Sequence, residues 1–528
     1  MPLPAENSAF PPAPFDVAYA SYAENEAWYL GDLKKLGEIY SQNGAKRQAT
    51  HLRGGAPHRG GLMGGVSRMF WGRPLPQGQE SRRLHIPAPA DLAMLAADYG
   101  FAEPPTVALP AKVSTDTTTS TKIDTIRPEQ VRLDLIANSD AVKATWNEMG
   151  ELKSVFGACA VITEWDRDVA EHPWLRSVAA DSIIPEWRGA KLSALTLWTA
   201  YPDPDNANVV YRHLQRHEAG RIVNRLYKGT GAKIGSIVPL QTIPQTEYLA
   251  QITSEGQDEG TLLTGIERLT ASYNINMPSR EWRKLGDLRY AGRSDFAGIL
   301  PLFDQLDETW TAWSRAIRLS RARITAPSAF LTSNGPGQAS TFDEDREVFT
   351  GLDRPIGDSE TGSGLDFFQP DIPVEQYEAT AYALYREILR AAGYSPSAWG
   401  EYGNQVKTAT EVQDREKASE RTRDKKALYD KAAISEQASV ALEIDGLLSP
   451  GQGGGRFDLP SVSFPAVSQS DPLRDAQVIG LLDGAAAITT DTKVRTAHPD
   501  WDDTRVRQEV EGILADRRPA ADPASPSF

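Results

Sequence analysis

The stretch SDFAGILPLFDQLDETWTAWSRAIRLS (residues 294–320), read together with PVEQYEATAYALYREILRAA (residues 373–392), decides the architecture of this chain. In the first, Ile299, Leu302, Phe303, Leu306, Trp310, Trp313 and Ile317 recur at three- and four-residue spacing, which marks one apolar face of a helix. Ser294 is the expected N-cap, and Pro301 falls where it kinks or separates the first turns. In the second, Tyr377, Ala381, Leu384, Ile388 and Ala391 form a matching stripe, and Gly393 stands where helices commonly end in a left-handed residue. Trp310 and Trp313 read as packing residues, against the second helix or a neighbouring subunit, rather than as a ligand platform. Between the two helices lies an insert, residues 321–370, with strand candidates ARITAPSAFL and TFDEDREVF and loops at NGPG and GSG.

Downstream, YSPSAWGEYGNQ (residues 394–405) holds glycines, a proline and aromatics, and reads as a mobile loop. Val406–Ile444 is the longest helix candidate. Its middle is polar nearly all round, and Glu411–Arg415, Asp414–Lys417, Glu420–Arg423 and Lys426–Asp430 fall at helical pairing distances. A helix of that kind bridges domains or lies between subunits. GQGGG (residues 451–455) breaks the chain, FDLPSVSFPAV is strand-like, and the remainder reads as helical up to a disordered Pro/Ala/Ser tail from Pro519.

Upstream, a polar arm leads into an expected helix at Ala23–Ser41, and residues 53–78 form an irregular loop around FWGRP. Leu84–Ile86 is strand-like. Asp91 is placed to cap a helix to Tyr99, which Pro104 and Pro105 stop. A further helix is expected over Pro128–Met149. From Val155 to Glu281 the runs VFGACAVITEW, LSALTLWTAY, NVVYRHLQRH and RIVNRLYKG are strand-like, the last two joined by the hairpin signal EAG. The fold class is therefore α+β.

A chain of 528 residues is long enough for three or four structural units. Its net charge of −15 argues against a domain that grips duplex DNA over a broad face, because such binding comes from neutralising phosphates. The same charge suits a surface past which DNA slides. The one cysteine, Cys159, allows no internal disulfide and reads as a small buried hydrophobe. The first residues lack a signal-peptide pattern, and no apolar run is long enough to span a membrane, so the expected setting is the cytosol or a particle assembled there.

No catalytic constellation stands out. GTGAKIGS (residues 229–236) misses the spacing of a phosphate loop and reads as a connection between strands. His213 and His217 in HLQRH share a face but lack the glutamate of a zinc-protease helix, and read as a sheet-surface pair. The acidic groups Asp203/Asp205, Asp343/Glu344/Asp345 and Asp500/Asp502/Asp503 lack EF-hand spacing and read as solvated or partner-facing charge. The expectation is a protein that is not an enzyme, with no cofactor and no metal. A nucleotide- or metal-dependent enzyme on an α+β scaffold is the alternative.

RMFWGRP with RLHIPAPADLAMLAADYGFAEPP, then VYRHLQRHEAGRIVNRLYKGT, SDFAGILPLFDQLDETWTAWSRAIRLSRARI, AAGYSPSAWGEYGNQVKTATEV and DPLRDAQVIGLLDGAAAIT follow one another along most of the chain. In that order they resemble the portal proteins of tailed bacteriophages, in the branch found in long-tailed phages of Gram-positive hosts. The resemblance implies a portal fold with an α/β wing (1–293), a first stem helix (294–320), a small α/β clip (321–370), a second stem helix (371–393), a tunnel loop (394–406), a long wing helix (407–446) and, from 447, a wing strand, helical crown and disordered tail. It implies a ring of twelve copies at one capsid vertex, through which double-stranded DNA passes without sequence specificity.

By the same resemblance, Leu306, Trp310, Trp313, Ile317, Tyr377, Leu384 and Ile388 are stem-packing residues. Trp399, Tyr402, Asn404, Gln405 and Lys407 belong to the tunnel loop. Asp343, Glu344, Asp345 and Arg346 lie on the clip, facing partners. The implied partners are the terminase large subunit, head-completion or adaptor proteins, and the major capsid and scaffolding proteins, with no membrane. The implied place is the virion, assembled in host cytoplasm. Another head-to-tail adaptor or a minor capsid protein is the second alternative; such adaptors are generally shorter and lack a long helix pair around an insert.

Overall fold

The computed structural model describes residues 3–39, 84–110, 127–253, 256–320, 323–325, 366–368, 371–396, 409–465, 472–485, 487–498 and 503–516. The fold is α+β, and its body is built around two antiparallel sheets. Helix α1 (Phe15–Leu30) ends at Gly31, whose φ of 68° forms a left-handed cap. This helix begins eight residues earlier than the expected Ala23 start; Gly31 interrupts it, and residues 33–39 are helical again, so the expected Ala23–Ser41 helix is broken in two. The arm before it is not a polar extension: Phe10 is buried, as are Phe15 and Trp28 on the helix it leads into. Aromatic packing, with Phe10 edge-on to Trp198 at 5.0 Å, fixes this arm to the body.

Helix α2 (Ala88–Phe101) starts behind Pro87, so Asp91 lies in its first turn rather than at its cap. Strand β1 (Thr106–Ala108) follows Pro104 and Pro105. The helix expected over Pro128–Met149 is two helices, α3 (Pro128–Ala137) and α4 (Asp140–Phe156), broken at Asn138 and Ser139. Asn138 leaves the helical path because its side chain bonds β1 on both sides, accepting from Val107 N and donating to Val107 O, each at 2.9 Å. A side chain that competes for backbone groups favours such breaks.

Strands β2 (Ala158–Glu164), β3 (Trp174–Ala179) and β10 (Ala271–Ile275) form one sheet in the order β10-β2-β3. The other sheet runs β4 (Ile183–Arg188), β5 (Lys191–Pro202), β6 (Val210–Glu218), β7 (Arg221–Gly229) and β8 (Ser236–Val238), with β9 (Thr261–Leu263) also on β7. The EAG turn joins β6 to β7 as expected, and Gly220 supplies its φ of 85°. Helix α5 (Pro244–Gln251) covers the β7–β8 corner through Leu226, Leu240 and Leu249.

Helices α6 (Leu300–Leu319) and α7 (Val374–Ala392) leave the body as an antiparallel pair. The insert between them is described only at its root, where β11 (Arg323–Thr325) pairs antiparallel with β12 (Asp366–Phe368). The first falls inside the expected ARITAPSAFL strand; the second was not expected. TFDEDREVF lies outside the described residues.

Helix α8 (Ala409–Leu448) is the longest element, and it ends before the GQGGG break as expected. It is not a solvated bridge. Ile434, Ala438, Val440, Ala441 and Ile444 are buried, several of them against α3, α4, β2 and β1. Strand β13 (Ser461–Ser463) pairs antiparallel with β1. Helices α9 (Pro472–Gly484), α10 (Thr490–Ala497) and α11 (Asp503–Asp516) complete the helical C-terminal region, and the tail from Pro519 lies outside the described residues.

Candidate functional site

The region built most deliberately is the helix pair and its root. Helix α6 starts at Leu300 with Pro301 in its first turn, where a missing N–H costs nothing. The expected cap Ser294 lies one loop earlier. Its hydroxyl accepts from Phe296 N at 3.0 Å and donates to Ser154 O at 2.8 Å, so it closes a turn against α4 instead. Phe303 and Leu306 are buried in the body, and Leu302 and Trp310 pack on it in part. Further out, Trp310 and Trp313 lie 5.0 Å apart, and Trp313 stacks on Tyr377 at 6.0 Å and 5°. The tryptophans therefore pack within the chain, on the second helix. Ile317 is half-exposed near the far end.

On α7, Ile388 is buried and Tyr377 and Leu384 are half-buried. Ala391 is exposed, contrary to the expected stripe; the buried arc runs through Ala381, Ile388, Leu389 and Ala392, and Ala391 falls beyond its edge. Gly393 ends the helix with φ of 93°.

Leu84–Ile86 forms no strand. It is an extended strap held along α6 by side chains: Leu84 N donates to Thr311 Oγ1 at 3.0 Å and Ile86 N to Asp307 Oδ1 at 2.9 Å. His85 Nδ1 lies 3.0 Å from Asp307 Oδ2.

At the inner end, α8 presents Ser419, Thr422, Lys426 and Asp430, which fall on one helical face. Ser419 Oγ accepts from Ser395 N at 2.9 Å, and Thr422 Oγ1 donates to Gly393 O at 2.7 Å. Lys426 Nζ donates to Asp295 Oδ2 at 2.5 Å and to Tyr394 Oη at 3.0 Å. Asp295 also accepts from Ser154 Oγ at 2.8 Å and Asn276 Nδ2 at 2.9 Å. Asp430 pairs with Lys153 of α4 and accepts from Asn274 Nδ2 of β10. Both ion pairs are almost fully enclosed. Burial, with the Asp295 carboxylate beside it, pushes the Tyr394 phenol well above its ordinary range, so it stays neutral.

Lys426 and Asp430, expected to pair with each other, thus pair outward with different elements. Lower down α8, Asp445 takes a two-point pairing from Arg132 of α3, and Thr163 of β2 donates to Gln437 Oε1 at 2.9 Å. One face of the polar middle of α8 is a set of buried fasteners, while Arg421, Asp424, Lys425 and Lys431 on the other are exposed.

The two motifs that could have suggested an enzyme are occupied structurally. In the loop 229–236, the Thr230, Gly231 and Lys233 carbonyls accept from the Arg212 guanidinium at 2.7, 3.0 and 3.2 Å. A loop that presents carbonyl oxygens to an arginine does not cradle phosphate, which needs N–H groups. His213 Nε2 lies 3.0 Å from Asn224 Oδ1, and His217 Nδ1 lies 2.6 Å from Thr270 Oγ1. His217 is fully buried, not on a sheet surface. Asp203 accepts from Asp205 N at 3.0 Å in a simple turn. Cys159 is buried, and burial raises its thiol to about 12. Among the described residues no group of carboxylates, histidines and cysteines could hold a metal ion, and no helix is long and apolar enough to cross a membrane.

Burial lowers the His217 imidazole to about 3. Its folded value lies below its unfolded one of about 6.5, so its contribution is complete above pH 6.5 and is lost as pH falls towards 3. Over that window His217→Gln is expected to remove a slope of up to about 1.4 kcal/mol per pH unit from the stability profile. Denaturation midpoints of both proteins from pH 7 to pH 4 check this; parallel profiles would refute it.

Trp399, Tyr402, Asn404, Gln405 and Lys407 lie outside the described residues, as do Asp343, Glu344, Asp345 and Arg346. The buried ion pairs were missed because Asp295 and Lys153 stand 131 and 277 residues from their partners Lys426 and Asp430; the signal was a helix too polar for its length.

No family model matches the chain, and no curated protein does. Among solved structures the chain is similar to one in the neck of an empty gene transfer agent particle computed with C6 symmetry, at 12% identity over 78% of this chain and 90% of that one, with a TM-score of 0.37. It is also similar to one in the virion of a native gene transfer agent particle, at 13% identity over 82% of this chain and 98% of that one, again with a TM-score of 0.37. At those values neither likeness decides the role of this chain.

Proposed function

We propose that this chain is the subunit of a phage portal: a ring at one capsid vertex through which the terminase motor drives double-stranded DNA, and on which head-completion proteins later assemble. The observation that carries the reading is the helix pair. α6 and α7 stand on an α+β body, an insert begins and ends at a β-pair at their far end, and the chain returns through residues 397–408 directly into α8. The order of the resembling motifs supports the same assignment. In this reading α6 and α7 are the stem, residues 321–370 the clip and the segment with Trp399, Tyr402, Asn404, Gln405 and Lys407 the tunnel loop. Net acidity keeps DNA phosphates from seating on the wall.

Electron-microscopic class averages of the purified protein, with particle mass, test this. Toothed rings with an axial hole and a mass near twelve times 57.7 kDa are expected; a compact monomer under every condition would overturn the reading. Deleting residues 399–405 is expected to leave rings intact and to abolish most DNA packaging in a complementation assay. Unchanged packaging would remove the tunnel-loop assignment.

A further inference from the structure

Strand β10 is outermost in its sheet, with β2 on its inner side. Thr163 N donates to Thr270 O at 2.9 Å and Asn276 N to Gly157 O at 2.8 Å, so the even-numbered residues of β10 bond β2. Ala271, Tyr273 and Ile275 therefore turn their N–H and C=O groups the other way, and no backbone group among the described residues meets them. The edge lacks the usual guards against pairing. Its sequence ASYNI has no charge and no proline, and its register on β2 is unbroken.

That strand lines a groove of about 550 Å³ between the β4–β5 turn and α8. On the first wall Trp187 lies 4.9 Å from the Tyr290 ring and edge-on to Tyr273 at 5.6 Å. On the second, Leu428 is 70% exposed and Tyr429 is half-buried. The rim is charged unevenly. Arg289 is exposed over the Tyr290 ring, beyond the Ile275 end of the strand, where Pro278 bridges Gly292. Lys191 is exposed opposite Arg188 in the β4–β5 turn. Glu436 is the acidic residue on the groove, and it belongs to the other end. Helix α8 passes β10 in the opposite direction, with Asp430 bonded to Asn274 and the Glu436 carbonyl to Arg268. The Ile275 end is thus basic, in a chain whose net charge is −15.

We propose that this groove takes an extended, acidic segment of another protein, which adds to the free edge of β10 and lengthens its sheet. Main-chain hydrogen bonds to Ala271, Tyr273 and Ile275 hold the segment, and the aromatic and aliphatic walls receive its alternate side chains. About five residues cover the strand at 3.3 Å each. The added strand runs antiparallel, as β2 and β3 do in this sheet. Its N-terminal end then lies at the Ile275 end of β10, so its acidic residues come first and meet Arg289 and Lys191. Glu436 repels the same charge at the far end. Complementary charge of this kind selects both the partner and its direction. The inference needs the groove and not a ring, so it is independent of the portal reading.

The test uses the full-length chain and a fluorescent peptide of about six residues, two aspartates followed by alternating valine and threonine. Anisotropy is expected to show saturable binding with Kd on the order of 10–100 μM. N-methylation of the peptide nitrogens that face β10 removes the donors and is expected to weaken binding about tenfold or more. Moving the aspartates to the C-terminal end is expected to weaken it several-fold. Lys191→Glu combined with Arg289→Glu reverses the rim and is expected to cost about tenfold, with a peptide led by two lysines then bound better than the original. Circular dichroism monitors the fold of the variant. No binding at about 1 mM peptide, an N-methylated peptide that binds as well as the original, or a variant of unchanged affinity overturns the inference. So does displacement of the peptide by an oligothymidine, which would give the basic rim to nucleic acid. Binding by the dispersed chain that vanishes on assembly would make a neighbouring copy the occupant, and overturns it too.

Discussion

Asp295→Ala is expected to destabilise the protein by about 3–5 kcal/mol. Asp295 is 5% exposed and faces Lys426, itself almost enclosed. Removing the acid leaves an ammonium buried beside the Tyr394 ring, with only a phenol oxygen for a partner. It also strands Ser154 Oγ, a donor to the same carboxylate, and leaves Asn276 Nδ2 only its second acceptor, the Arg293 carbonyl. The cost of a broken buried pair is mostly the cost of the charge left behind. Asp295→Leu combined with Lys426→Met is therefore expected to recover most of the loss. Urea denaturation of the wild type, Asp295→Leu, Lys426→Met and the double variant as a double-mutant cycle, with Asp295→Ala alongside, measures this. A double variant as unstable as Asp295→Ala would mean that packing around the cluster, rather than its charge, dominates.

The second large effect is steric. A methyl group on Gly292 would stand 1.7 Å from the Gly157 carbonyl oxygen, and backbone cannot move aside as a side chain can. This is where the chain passes from the body towards α6, with Arg293 N donating to Met277 O at 2.6 Å and Asp295 N to Ser154 O at 2.9 Å. Gly292→Ala is expected to cost about 3 kcal/mol or more, or to prevent accumulation of folded protein. Gly298→Ala separates the causes. Gly298 has φ of 86° and open space around its Cβ position, so it carries only the conformational penalty of about 1–2 kcal/mol. Thermal unfolding of the two variants compares them directly; equal losses would mean that the close approach at Gly292 relaxes.

What the sequence made legible was local. The stripes of α6 and α7, the Gly393 terminus and the β6–β7 turn each need only a dozen or so residues of context, and the structure has them, with Ala392 buried in place of Ala391 and Ile317 half-exposed. What it hid was distant. The spacing of Lys426 and Asp430 on α8 suggested a surface pair, because sequence shows who shares a helix face and not what that face meets. Asp295 and Lys153, the true partners, lie on separate elements far upstream. The Leu84–Ile86 strap looked like a strand for a similar reason: its extended backbone is satisfied by Asp307 and Thr311 side chains rather than by a neighbouring strand. The break at Asn138 depends on β1, which residue-by-residue helix propensity does not register. Residues of the segment 397–408 and of the insert beyond its root lie outside the described residues, and their roles are assigned by resemblance alone.

The pairing of β1 with β13 has a consequence for how the chain is made. Ser461 Oγ donates to Ala108 O across 353 residues of sequence. At about 5–20 residues per second on a ribosome, the N-terminal strand emerges on the order of half a minute before its partner exists. Helix α8, which seals the cluster around Leu133, Val161 and Trp146, arrives almost as late. The helix pair, by contrast, can form from neighbouring sequence as soon as it leaves the tunnel. The nascent chain therefore carries an open apolar seam from the synthesis of Leu133 until α8 closes it.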